Sequence, residues 1–105
     1  MTQPHTSAAS AAMFDGHSDE MVTLYKEHVP SYMSDLMSAV KEDNRQQIFY
    51  GTHKMCSAMK TIGYMKVASL LERIETERPV GSTLFDLVGE IEQLVSDSLV
   101  ILENR

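Results

Sequence analysis

Apolar residues recur three and four positions apart over most of the chain, and no stretch alternates as a half-buried strand would. From about Ser18 to Val40 the apolar positions are Met21, Leu24, Tyr25, Val29, Tyr32, Met33, Leu36, Met37 and Val40, the spacing of one helix face. Ser18 and Asp19 suit an N-cap. Pro30 removes one backbone donor inside this run, which predicts a break near His28 or Val29 and two pieces, a shorter leading helix and then Ser31 to Val40. Lys41 to Asn44 is a polar connection. Asp43 or Asn44 can cap the next helix, with Gln46 or Gln47 three residues on. That helix is expected to run to about Ile62 and stop at Gly63. A third helix is predicted from Tyr64 to about Glu77, with Met65, Ala68, Leu71 and Ile74 on one face. Arg78-Pro79-Val80-Gly81 reads as a turn. Ser82 or Thr83 would cap a last helix carrying Leu84, Leu87, Val88, Ile91, Leu94 and Val95. The expectation is an all-α antiparallel four-helix up-down bundle with a short additional N-terminal helix.

Composition narrows the class. The 105 residues suit one domain. Residues 1–17, rich in Ala and Ser, read as a flexible leader, and 18–105 as the domain. The eight Met residues fit a core of helices. A net charge of −6 with scattered basic residues argues against nucleic acid as a partner. No run of apolar residues is long enough to span a membrane, and Met1 to Gly16 lacks the features of a secretory signal. Cys56 has no second Cys to pair with. A cytoplasmic location is the expectation. His5, His17, His28 and His53 show no paired spacing, so no metal site is expected.

The informative segment is Gln46 to Gly63, QQIFYGTHKMCSAMKTIG. On a helical wheel, Ile48, Gly51, Met55, Ala58, Met59 and Ile62 gather opposite His53 and form the core face. His53 points away from them, beside Gln46, Phe49, Cys56, Ser57 and Lys60. Cys56 and Ser57 are small and would leave the imidazole unobstructed. Near neutral pH a neutral imidazole offers a nitrogen lone pair, which suits nucleophilic phosphoryl transfer. Lys60 lies two turns along the same face, where a cation could meet a phosphate.

The run DEMVTLYKEHVPSYMSDLMSAVKEDN, followed by HKMCSAMKTIG and VASLLERIE, resembles the histidine phosphotransfer (HPt) domains of bacterial multistep phosphorelays. The resemblance implies that His53 accepts the phosphoryl group, that Met55 and Ile62 fill apolar positions, that Ser57 stands at a small-residue position and that Gly63 closes the motif. It also implies that Glu75 lies near the imidazole and holds one ring nitrogen as N–H. One position departs from the pattern. The family's Lys three residues after the His is Cys56 here, which leaves Lys60 or Lys54 to supply positive charge.

The implied function is to take a phosphoryl group from a receiver aspartate onto His53 and pass it to another receiver. The implied partners are response-regulator receivers, including that of a hybrid histidine kinase. The domain would act as a monomer and a phosphocarrier without turnover of its own. It would bind no cofactor, with Mg²⁺ on the receiver, and Phe49 and Gln46 would belong to the docking patch. The competing reading is a non-catalytic helical interaction module that binds a receiver without carrying phosphate.

Overall fold

The computed structural model describes residues 19–103. The leader at 1–17 and the expected cap Ser18 lie outside the described residues. Four helices follow one another: α1 (Asp19–Lys41), α2 (Arg45–Ile62), α3 (Met65–Glu77) and α4 (Gly81–Glu103). Each packs on its neighbours in the chain, and α4 closes back on α1. The described residues contain no strand, and the fold is an all-α bundle.

The ends of the helices follow from local chemistry. Asn44 caps α2 by accepting a hydrogen bond from the Gln47 N–H at 3.2 Å. Gly63 ends α2 with φ 87°, in the left-handed region where a Cβ is costly. The Gly63 N–H donates to the Lys60 carbonyl at 3.2 Å and the Tyr64 N–H to that of Met59 at 2.8 Å. These two bonds make a Schellman motif, and the buried Tyr64 and Met59 side chains are its apolar partners. Arg78 ends α3, also left-handed at φ 48°, with its N–H donating to the Ile74 carbonyl. The last helix begins at Gly81, with φ 59°. Ser82 and Thr83 therefore sit within its first turn rather than preceding it as caps.

The expected break at Pro30 does not occur, and α1 runs through it as one helix. No separate short leading helix precedes Ser31 among the described residues. Pro30 lies on the exposed side of α1, between buried Val29 and Met33. Lys26, whose carbonyl loses its partner, is also an exposed residue, so water can satisfy that carbonyl. Burial of Val22, Tyr25, Val29, Met33 and Leu36 against the bundle outweighs the local cost of the ring.

The core is a single cluster to which every helix contributes. Leu36, Ile48, Met55, Met59, Leu71, Ile74 and Ile91 are its largest enclosed side chains. Thr52 is also enclosed and donates its hydroxyl to the Ile48 carbonyl at 2.6 Å. This bond lets a polar residue sit in an apolar layer. Across the α1–α4 pair, Ser98 Oγ donates to the Val95 carbonyl and so accepts from the Tyr25 phenol, 2.7 Å away. Burial pushes the Tyr25 phenol far above its ordinary pKa.

Two substitutions test this packing. Met55→Asp places an unpaired charge in the centre of the core and is expected to cost about 4 kcal/mol or more; a cooperative thermal melt near that of the wild type would contradict the burial described. Pro30→Ala restores a helical donor on an exposed turn. It is expected to stabilise by about 1–2 kcal/mol, the helix gain being partly offset by a more flexible unfolded chain. Denaturant titration measures it, and a loss of stability would mean that the ring itself is needed.

Candidate functional site

The site lies on the outer seam between α2 and α3. The two-residue turn at Gly63 and Tyr64 folds α3 back along α2. Lys60 pairs with Glu72 at 2.6 Å. Beyond it along the seam, His53 meets Glu75. Further from the turn, the Arg78 guanidinium lies over the Phe49 ring, 4.4 Å from its centroid. Beneath these contacts the Cys56 thiol donates to the Ala68 carbonyl at 3.6 Å.

His53 is exposed, with 75% of its side chain open to solvent. The core residues Met55, Met59 and Ile62 face the other way, as the wheel places them. Its Nδ1 is 2.9 Å from Glu75 Oε2, and the Glu75 side chain is only 28% exposed. An ionised carboxylate can only accept, so Nδ1 carries the hydrogen. In the neutral ring Nε2 then holds the lone pair. A nucleophilic nitrogen is thereby available on an exposed ring whose orientation is held by a half-buried partner.

Cys56 departs from the wheel. It is 3% exposed, enclosed by the approach of α3, and burial pushes its thiol pKa up, with the Lys60 ammonium opposing. Its side chain is a packing element of the seam and not part of an open surface beside the imidazole. Lys60 projects from the surface, but its ammonium is tied to Glu72, a contact that raises its pKa. Lys54 turns toward α1, its ammonium 4.9 Å from the Tyr32 ring centroid and 5.3 Å from that of Tyr50. Ser57 and Gln46 are exposed, and Gly63 shapes the turn.

Phe49 is half-buried, and the guanidiniums of Arg45 and Arg78 both lie over its ring. Arg45 also reaches the Pro79 carbonyl at 3.4 Å and Asp43 at 3.8 Å. The sequence reading did not single out these two arginines. Their grouping depends on how the α3–α4 loop folds over α2, which no spacing within one helix reveals. It also passed over Tyr50, which is 61% exposed. A shallow apolar groove between α1 and α2 borders the same face, lined by Leu24, His28, Tyr32, Lys54, Ser57 and Ala58 among others.

Among the described residues, no group of three or more His, Cys, Asp or Glu is placed to hold a metal ion. No helix among them is long and apolar enough to cross a membrane. No significant match to the chain was found among curated proteins or solved structures. A family model described as the Hpt domain matches residues 20–98, a span that contains all of α1 but its first residue, α2, α3 and most of α4. By this match the chain belongs to the Hpt domain family, whose helical bundles have a phosphotransfer role in phosphorelay signalling together with receiver domains.

Proposed function

We propose that His53 is the phosphoryl carrier of this domain, loaded by the aspartyl phosphate of one response-regulator receiver and unloaded onto the aspartate of another. The observation that carries this reading is the hydrogen bond between His53 Nδ1 and Glu75 on an otherwise exposed ring. The Nε2 lone pair attacks phosphorus in line, the N–P bond forms, and the P–O bond to the receiver aspartate breaks. The aspartate leaves with the bonding pair. No proton has to leave the ring, because Nδ1 keeps its hydrogen. The imidazole becomes cationic, and the Glu75 carboxylate beside it stabilises that charge as it forms. Return transfer reverses each step.

The domain's share of the work is thus a correctly held nucleophile and a surface that docks the partner. It acts as a monomer in the cytoplasm and binds no cofactor itself; Mg²⁺ belongs to the receiver. Tyr50, the groove between α1 and α2, and the guanidinium-covered Phe49 surround His53 and supply the docking face, with Gln46 at its edge. Ser57 is small and leaves the approach to the imidazole open, while Lys54 and Lys60 add positive charge to its margins. Buried Cys56, where the family pattern has Lys, favours a second reading in which the same face binds a receiver without taking phosphate.

The test incubates the protein with a panel of receivers phosphorylated by acetyl phosphate and looks for acid-labile, base-stable phosphate on the domain. Wild type is expected to take up label and His53→Gln to take up none, with stability changed by no more than about 0.5 kcal/mol. Glu75→Ala is expected to slow transfer about tenfold or more, equivalent to roughly 1.4 kcal/mol in the barrier. Receiver binding without labelling of the wild type would select the second reading.

A further inference from the structure

We propose that Arg78, at the left-handed end of α3, supplies the cation that holds the phosphoryl group on His53. The inference rests on His53 being the carrier. A phosphoryl group on an exposed imidazole brings two negative charges to a surface whose nearest fixed partner, Glu75, is itself an acceptor. Some cation must offset them if the phosphorylated state is to form readily.

The other candidates are placed elsewhere. Position 56 is enclosed by α3 and carries a thiol. Lys60 stands seven residues from His53, about 10.5 Å along the helix axis, and its ammonium is bonded to Glu72. Lys54 is turned onto Tyr32 and Tyr50.

Arg78 is held on this seam by Phe49. Its guanidinium lies 4.4 Å from the centre of the Phe49 ring, and Phe49 precedes His53 by one turn on the same face, about 6 Å along the axis. In the chain, Arg78 follows Glu75 by three residues, just past the end of α3. The contact with Phe49 therefore places the guanidinium on the same seam as the imidazole, one turn beyond it. No ion pair holds it among the described residues. It is exposed and always charged, and its planar fork of donors matches phosphate oxygens. Stacking on Phe49 restrains it before phosphate arrives. Its backbone at φ 48° is where glycine is favoured, so the position carries Arg at some cost to the local backbone.

The test uses phosphoramidate as a small phosphoryl donor, which removes any effect on receiver docking. Nε2 of His53 forms the N–P bond, the donor's P–N bond breaks, and ammonia leaves with the electron pair. Phosphohistidine formation is followed by ³¹P NMR at two salt concentrations. The variants are Arg78→Gly, which removes the cation while easing the backbone, and Arg78→Lys, which keeps a charge without the fork. Arg73→Ala is the control for net charge, since Arg73 pairs with Glu77.

Arg78→Gly is expected to slow phosphorylation about tenfold at low salt, by less at high salt, and to raise the pH midpoint of the phosphoryl ³¹P titration. Arg78→Lys is expected to recover part of the rate, and Arg73→Ala to match the wild type. Arg78→Gly with a wild-type rate and an unmoved titration overturns the proposal while leaving His53 as carrier. An equal slowing by Arg73→Ala also overturns it, since net charge would then be the cause. A wild type that gains no phosphate on His53 overturns both readings.

Discussion

The packing of α3 against α2, set by the turn at Gly63, is the constraint on which the site depends. Two backbone hydrogen bonds and one left-handed glycine reverse the chain in two residues. So short a turn leaves little freedom in register. Cys56 then meets Ala68 beneath the seam, while Lys60 meets Glu72, His53 meets Glu75 and Phe49 meets Arg78 on its surface. The enclosed residues Met55, Met59, Val67, Leu71 and Ile74 lock this alignment from the core side. Apolar burial supplies the energy, and the polar contacts outside determine what chemistry the surface can perform. An exposed hydrogen bond such as that of His53 to Glu75 contributes little to stability, yet it selects which nitrogen carries the lone pair.

The same helix pair separates structure from chemistry within single turns. Thr52 and His53 are adjacent, but Thr52 is enclosed and bonded to its own helix, whereas His53 stands in solvent. Met55 and Cys56 follow, both buried, before Ser57 returns to the surface. A rigid helix anchored on one face presents the imidazole at a fixed height and direction, as the proposed in-line attack requires. Glu75, half-covered on the facing helix, provides the second point needed to stop the ring from turning.

Much of this was legible in the residues because periodicity and caps are local. The ends of α2 at Asn44 and Gly63 follow from cap chemistry, and the exposure of His53 follows from a wheel. The error at Pro30 shows where local reasoning fails: the proline's cost is real, but five buried side chains on the opposite face of α1 outweigh it. Cys56 shows a second limit. A wheel gives an angle and cannot say how far a neighbouring helix wraps around it, so a residue sixty degrees from His53 was read as surface when α3 covers it. Arg45 and Arg78 show a third, since they meet over Phe49 only through the fold of the α3–α4 loop.

The central claim is that Glu75 fixes His53 with its hydrogen on Nδ1 and its nucleophilic lone pair on Nε2. The most direct measurement is ¹⁵N NMR of the imidazole, before and after phosphorylation, in protein labelled at histidine. The account predicts the Nδ1–H tautomer in the neutral ring and, after loading, ³¹P coupling to Nε2 with the hydrogen still on Nδ1. An Nε2–H tautomer in the neutral ring, or phosphorus bonded to Nδ1, would contradict it.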